Sequence, residues 1–484
     1  MEPILLALLA CAPPQAGSAP SELSLDGARA LALERNLGLQ IEELATEAAL
    51  MRYRATGGAF DWVYDAGLSY TDQQIEPSDF FSASNRNVQQ LTTGFTRPLE
   101  TGGNFRASFE SSLVESDSSF AVDPRASTDL LTLAYTQPLL RGAWRDYATA
   151  SVRQGEQDWM RQRERERQAR QKLLLDVTNA YWDLVASEAE LGVAVSGVDL
   201  ARRQVEQSQK RLDAGLGVRT DVLQAETELA QREQERLAAE NRLRAASDAL
   251  KQLLFPGSDR EAWSRELKPT TSLPLLATGL MVPPWEAALE VAIDRRAELR
   301  QQRLSVQLAE LRRDVARSDS LPQLDFDLSA ASQGYDPNEG EALSNAASFE
   351  YPTLRAGLAF STPIGNTTAK NQLAATWADL RAEKLRYDQL ETSVLADVRD
   401  AVRQAQYQIE AVRAAQKSLE LAREQLEAER ARLENDQSTV FQVLQFQQEL
   451  VRAMSVEVLA RSNLAKSRTR LEAAQGTLGE APGS

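Results

Sequence analysis

The sequence predicts a mainly α-helical chain with β strands, organised as two internal repeats in which a strand segment leads into a long helical hairpin. Three observations predict it. No proline lies between Pro138 and Pro256, or between Pro363 and Pro482, which leaves room for uninterrupted helices. These stretches align without a gap at an offset of 221 residues: Leu200-Ala201-Arg202 matches Leu421-Ala422-Arg423, Val222-Leu223-Gln224 matches Val443-Leu444-Gln445, and 12 of 30 positions over 200–229 and 421–450 are identical. Ahead of each stretch the hydrophobic period changes from that of a helix to two, the period of a strand. A repeat of this kind sets the architecture before any single element does.

Residues 1–22 read as an export signal and N-terminal tail. Ile4 to Ala10 is a short apolar run, although Glu2 stands where Lys or Arg is expected in a signal peptide. Leu8-Leu9-Ala10-Cys11 resembles a lipobox, with Cys11 as the lipidated residue of a lipoprotein; cleavage near Ala19, hindered by Pro20, is the alternative. Both readings predict export.

The first repeat spans 23–255. Leu25, Ala28, Leu31, Ala32, Leu39, Leu44 and Ala48 recur at helical spacing, predicting a helix over 23–58 that ends at Gly57-Gly58. Phe60, Trp62, Tyr64, Ala66, Leu68 and Tyr70 then alternate with mostly polar residues, predicting a strand with one aromatic face. Further strands are expected around 90–97, 104–113 and 130–137, with Leu131, Leu133 and Tyr135 on one face of the last. After Gln137-Pro138-Leu139-Leu140 the first long hairpin occupies about 143–254. Val177, Leu184, Leu191, Val198, Val205 and Leu212 recur every seven residues, the signature of side-by-side coiled packing. One helix over 143–213 would be about 105 Å long. Gly215 and Gly217 punctuate it, and Thr220-Asp221 are placed to cap a return helix over 221–254.

Residues 256–284, with Pro256, Pro269, Pro274, Pro283 and Pro284, read as the inter-repeat linker. The second repeat spans 285–475. Ala32-Leu33-Glu34-Arg35 corresponds to Ala292-Ile293-Asp294-Arg295, now at an offset of 260. Its strands lie at about 321–362, with Leu324, Phe326 and Leu328 alternating with Asp325, Asp327 and Ser329, and with Leu354, Ala356, Leu358 and Phe360 on one face. The second hairpin follows Pro363 over about 366–474, with Val398, Ala405, Val412, Leu419, Leu426 and Leu433 as heptad positions, and 476–484 is a tail. The change of offset from 260 to 221 leaves 39 extra residues in the first strand region. They are read as an additional hairpin around 90–120 turning at Thr101-Gly102-Gly103, either an extracellular hairpin or two further strands of the sheet.

Composition removes several function classes. There is no histidine and one cysteine, so neither a disulfide framework nor a zinc-type cluster is available. A net charge of −16 argues against a nucleic-acid partner. Interleaved Glu cancels the one basic run, Arg161 to Arg167, which reads as a solvated helix face. Neither a phosphate-binding loop nor a G-x-S-x-G elbow is present, so the chain is not read as an enzyme and no cofactor is expected. No apolar run reaches the roughly 18 residues of a spanning helix. Strands with one aromatic and one polar face need apolar surroundings on one side and water on the other. A half-covered soluble sheet meets that need, but heptad-patterned helices pack on one another and leave little to cover it. A transmembrane barrel with a wet interior meets it directly. The few strands of one chain cannot close a barrel, so an oligomer is expected.

At the hairpin turns the residues resemble the TolC-type outer-membrane efflux family, over about residues 23 to 475. Ala214-Gly215-Leu216-Gly217-Val218-Arg219-Thr220-Asp221-Val222 is similar to the family's first periplasmic tip, and Gln437-Ser438-Thr439-Val440-Phe441-Gln442-Val443-Leu444 to its second. Gln137-Pro138 and Thr362-Pro363 fit its barrel-to-helix swivels. The resemblance implies a homotrimeric transmembrane β-barrel in the outer membrane of a Gram-negative bacterium, continued through the periplasm by an α-helical coiled-coil barrel. It implies lipid contact by Trp62, Tyr64, Leu133, Phe326 and Leu358, and swivels at Pro138 and Pro363. It further implies docking of a periplasmic adaptor at Gly215, Leu216, Gly217, Thr220, Asp221, Val222, Gln437, Ser438 and Thr439, with energy supplied by an inner-membrane RND, ABC or MFS pump. Two departures stand out. Asp436 replaces a usual Gly in the second tip, and Gln442 and Gln445 stand where some members carry acidic residues, so an acidic entrance ring is not expected. The rival class is a structural coiled-coil envelope protein without a conduit, which accounts for the heptads but not for the alternating strands.

Overall fold

A computed structural model describes residues 22–74, 76, 85–117, 122–274, 282–435 and 437–479; Cys11 and Asp436 therefore lie outside the described residues. In chain order the elements are β1 (Glu22–Leu23), α1 (Leu25–Arg35), α2 (Leu37–Thr56), β2 (Val63–Gln74), β3 (Asn85–Pro98), β4 (Asn104–Ser116) and β5 (Arg125–Pro138), followed by α3 (Trp144–Ala148), α4 (Ala150–Asp213) and α5 (Arg219–Leu254). Next come α6 (Arg260–Ser264), β6 (Lys268–Pro269), α7 (Trp285–Arg295), α8 (Ala297–Asp319), β7 (Gln323–Asp336), α9 (Glu339–Ser348), β8 (Pro352–Ser361), α10 (Thr367–Glu434) and α11 (Val440–Ala474). The chain divides into two compact units that cut across the repeats. One holds the described residues of Met1–Leu44, Glu164–Arg300 and Gln389–Ser484, the other Ala45–Arg163 and Gln301–Asp388.

The first unit is helical. Its core gathers Ala28, Ala32, Val177, Tyr181, Leu184, Leu250 and Leu254, all less than 2% exposed. Every heptad position named in the second hairpin, from Val398 to Leu433, is buried, as are Val177, Leu184 and Val198 of the first. The described part of the Pro-rich segment is packed rather than loose: Ala262, Leu267 and Leu273 are buried, and β6 pairs in parallel with β1. The Tyr181 hydroxyl donates to the Leu23 carbonyl at 3.0 Å and accepts from the Thr271 N–H at 3.0 Å, pinning that segment to α4.

Two expected single helices are split. The helix expected over 23–58 breaks at Asn36, whose backbone is extended and whose side chain accepts from the Leu39 N–H at 3.1 Å while donating to the Leu253 carbonyl at 3.0 Å. That side chain starts a second helix in a new direction, as a cap does. The second repeat breaks at the matching residue, Arg296. The helix expected from 143 is interrupted at Thr149, whose hydroxyl donates to the Arg145 carbonyl at 2.7 Å. Its long part, α4, still runs for 64 residues, about 96 Å.

The second unit is built on one antiparallel sheet of order β2-β3-β4-β5-β7-β8. Phe60 lies in a 3-10 turn and the first strand begins only at Val63. The 39 extra residues resolve between their two readings: β3 and β4 pair along their whole length with β2 and β5, so they are strands of the sheet and not an extracellular hairpin. Their connection passes Gly102, in the left-handed region at φ 87°, beside the start of the long helix. There Glu100 pairs with Arg145 at 3.1 Å and the Thr101 carbonyl accepts from Gln137 at 3.0 Å.

Helix α9 has no counterpart among the elements that the sequence predicts. It packs on β5 and β7 through Ala342 and Ala346, both almost fully buried. Gly334 makes room for it, because a Cβ there would sit 1.9 Å from the Ala342 carbonyl oxygen.

Candidate functional site

The sheet's register decides which side chains share a face, since directly paired antiparallel residues point the same way. Tyr64 pairs with Phe95, Phe95 with Ala107, Ala107 with Leu133, Leu133 with Ala330, and Ala330 with Leu354. One face therefore carries Tyr64, Leu68, Tyr70, Leu91, Phe95, Phe105, Phe109, Leu131, Leu133, Tyr135, Phe326, Leu328, Leu354, Leu358 and Phe360, from all six strands. Trp62, just before β2, stacks edge-on to Phe105 at 6.0 Å. This face is uncovered in the single chain over most of its width: Tyr64 is 61% exposed and Leu358 68%. Transfer of such an area out of water stabilises by roughly 25 cal/mol per Å², so the face requires an apolar partner.

The opposite face is polar and internally bonded. Arg106 lies 3.5 Å from Asp65, Gln90 donates to Glu110 at 2.6 Å, and Thr136 donates to Asp327 at 2.7 Å. An apolar outer face and a hydrogen-bonded inner face are what a membrane-embedded wall around water needs.

At the strand-to-helix junctions Pro138 ends β5 and Pro363 follows β8, and each precedes residues in left-handed backbone: Gly142 and Trp144 after the first, Gly365 and Asn366 after the second. Both junctions rest on the end of α8. The Gly142 N–H donates to the Ser318 hydroxyl at 3.1 Å, and the Asn366 amide donates to the Ser320 carbonyl at 2.8 Å. Tyr147 donates to Asp319 at 2.8 Å in the same cluster; burial, then that bond, raises its pKa above the usual tyrosine value.

The helical tips are built alike. At the first, Gly215 has φ 76°, the Leu216 N–H reaches the Arg211 carbonyl at 2.9 Å and the Gly215 N–H reaches that of Leu212 at 2.9 Å. This pair of bonds is the glycine-terminated Schellman close. At the second tip the Gln437 N–H reaches the Arg432 carbonyl at 2.9 Å, the same bond at the repeat offset, despite the replacement at 436. The return helix starts earlier than expected: Val218 is the residue preceding it, and Asp221 supports it from inside the first turn by accepting from the Val218 N–H at 3.4 Å. In the second tip Thr439 and Gln442 form a reciprocal capping box. Gln442 is thereby engaged in its own turn.

Of the tip residues singled out in the sequence, Leu216 is the most apolar exposed one, at 65%; Val218, Leu223 and Phe441 join it. Gly217, Asp221 and Ser438 are half-buried, and Gly215, Thr220, Gln437 and Thr439 are exposed. Val222 is buried, so it packs within the hairpin rather than facing outward. The Arg211 guanidinium donates to the Leu433 carbonyl at 3.2 Å, tying the two tips together.

A buried polar layer lies behind the tips, built from residues outside those that the sequence singles out. Arg232 donates to Glu228 and to Glu235, both at 2.7 Å, Gln448 donates to Glu228 at 2.7 Å, and Gln447 donates to Gln204 at 3.3 Å. It joins α4 and α5 to α11. The one available signal was polar residues at positions facing the heptad seam, such as Ser208, which is buried. No group of His, Cys, Asp and Glu able to hold a metal occurs among the described residues, and no described helix is long and apolar enough to cross a membrane.

Comparison with known proteins places this architecture. The profile of the family described as Outer membrane efflux protein matches residues 116–254 and 288–477. The chain is 28% identical over 377 residues to Outer membrane protein TolC of Vibrio cholerae, covering 74% of this chain and 79% of that one. It is 27% identical over 360 residues to Alkaline protease secretion protein AprF of Pseudomonas aeruginosa, covering 72% and 70%. Among solved structures, the outer membrane protein VceC of Vibrio cholerae superposes with a TM-score of 0.66 over 93% of this chain and 96% of that one, at 17% identity.

Proposed function

The chain belongs to the outer membrane efflux protein family, and from that premise we propose that three copies form a passive exit duct through the outer membrane. The protein is an outer-membrane channel of the efflux or secretion class. In the proposed assembly the sheet faces lipid with Trp62, Tyr64, Leu133, Phe326 and Leu358, and the polar face lines water. The long hairpins extend into the periplasm, where a periplasmic adaptor docks on the exposed tips around Leu216 and Gln437 to Thr439. Pro138 and Pro363 act as the swivels between wall and tunnel. Energy comes from an inner-membrane pump of the RND, ABC or MFS type, because the chain offers no nucleotide-binding loop. Export of a protein belongs in this range of cargo, as AprF carries secretion in its name.

The observation that carries the reading is the apolar face shared by all six strands with a hydrogen-bonded polar face behind it. Reconstitution into planar bilayers tests it: ion conductance is expected, and its absence at every voltage would point to a structural coiled-coil protein instead. The docking role is tested by Leu216→Asp. The variant should assemble normally yet lose export, and normal export would remove Leu216 from the contact.

A further inference from the structure

The second repeat contributes two strands to the sheet and the first contributes four, so each chain brings six strands to the wall rather than two per repeat. Rows of paired residues run straight across the sheet, for example Val63, Thr96, Arg106, Ala134, Ser329 and Arg355. Measured from that row, the helical-side ends of the strands step down in order. β2 starts in the row at Val63, β3 and β4 end two residues below it at Pro98 and Asn104, β5 four below at Pro138, and β7 and β8 six below at Gln323 and Ser361. The loop-side ends step the same way, from Gln74, eleven residues above the row, to Pro352, three above. The sheet is thus a sheared parallelogram with a stagger of about one residue per strand, the shape required for strands tilted in a closed barrel. With a rise of about 3.3 Å per residue and a strand spacing of about 4.8 Å, that stagger corresponds to a tilt of about 35°.

The two edges also match. β2 runs away from the helical side and β8 returns to it, so β2 of one copy lies antiparallel to β8 of the next. Unpaired edges inside a membrane are not tolerated, which makes closure between copies obligatory. Continuing the stagger places the next copy's Val63 opposite Ser361. It follows that Tyr64 meets Phe360, Ala66 meets Leu358, Leu68 meets Ala356 and Tyr70 meets Leu354, all on the apolar face, while Ser69 meets Arg355 on the polar face. Two of these apolar pairs set a large residue opposite a small one and two join large residues, and no residue is turned to the wrong side. A one-residue slip would invert every one of these pairs.

We infer that three copies close an 18-stranded barrel through this β2–β8 seam, with the extra β3–β4 hairpin built into the membrane wall. The inference rests on the trimeric duct proposed above and adds its width and seam register. Eighteen strands at this tilt enclose a wall about 34 Å across between backbones, against about 23 Å for twelve. The outer-membrane mouth is then a broad aqueous opening, and control of passage falls to the helical tips.

Paired cysteines test the seam. Directly opposed antiparallel residues lie about 4.5–5.5 Å apart, within disulfide reach. In intact outer membranes the double variant Ser69→Cys/Arg355→Cys should oxidise to a covalent trimer. The face-mismatched pair Ser69→Cys/Leu354→Cys and each single variant, which control for Cys11, should not. A covalent species that stops at the dimer, or cross-linking by the mismatched pair alone, would overturn the strand count or the register. Single cysteines place the hairpin. Those replacing Leu91 and Phe109 should react only with a lipid-soluble maleimide, and those replacing Thr92 and Glu110 with a water-soluble one. Equal labelling of all four by the water-soluble reagent would overturn β3–β4 as membrane wall. Conductance of the unmodified protein in bilayers is read separately: conductance with a failed seam leaves the duct standing and rejects only the eighteen-strand closure.

Discussion

Arg232 and Glu228 are both about nine-tenths buried and joined at 2.7 Å, with Gln448 completing the carboxylate. Removing Glu228 leaves the Arg232 guanidinium with Glu235 as its remaining carboxylate and the Gln448 amide without its acceptor, and a buried donor left unpaired in this way costs about 1–3 kcal/mol. Glu228→Ala should therefore lower the chemical-denaturation midpoint of the helical unit, whereas the surface pair Arg244–Glu240 should contribute under about 1 kcal/mol when broken. Equal effects of the two substitutions would show that the layer is not an energetic anchor. Tyr147 provides a pH-dependent counterpart. Its raised pKa means that the folded state favours the neutral hydroxyl, so its contribution is fully present below the unfolded value near 10 and is lost as pH rises through the folded value. Tyr147→Phe should flatten the alkaline loss of stability measured by thermal melting between pH 9 and 11.

At the scale of elements, glycine geometry decides two features. Gly334 lets α9 lie directly on the sheet, and the atom that an added Cβ would meet belongs to the backbone, which cannot step aside cheaply. Gly334→Ala should release the 339–348 helix, visible as new proteolytic cleavage there while the seam and the long hairpins stay intact; an unchanged cleavage pattern would contradict the packing. Gly215 ends α4 in the left-handed region with open space around it. A side chain there meets no clash, so Gly215→Ala should cost only the backbone preference, about 1 kcal/mol. The second tip completes the same long-range bond without a glycine at that offset, because the bond is made by the residues that flank it.

For the whole molecule, the bare apolar face and the two open sheet edges make the single chain incomplete. The stability of the assembled protein should depend on chain concentration and on lipid or detergent, as linked association requires. Melting temperature in detergent should rise with protein concentration, and a melting temperature independent of it would mean that one chain closes its own sheet. The second long hairpin is a smaller concern, since its heptad positions are already buried within one chain.

The sequence by itself determined the repeat, the hairpins, the alternating faces and the two tips, because each depends on local periodicity or on turn chemistry written in adjacent residues. Heptads such as Val398 to Leu433 bury in register, and the aromatic positions chosen on separate strands fall on one face. Only the tertiary structure decided whether the 39 extra residues were loop or strands of the sheet, because strand pairing is a contact between distant segments and leaves no mark in either one alone. The same holds for α9, whose Ala342 and Ala346 are buried against β5 and β7, and for the polar layer, where Arg232 and Gln448 are 216 residues apart in the chain. The break at Asn36 belongs with these: a helical period continues through it, and the Asn36 side chain, bonded to the Leu39 N–H and the Leu253 carbonyl, caps a second helix. Periodicity tells a residue which face it occupies; only packing tells that face what it meets.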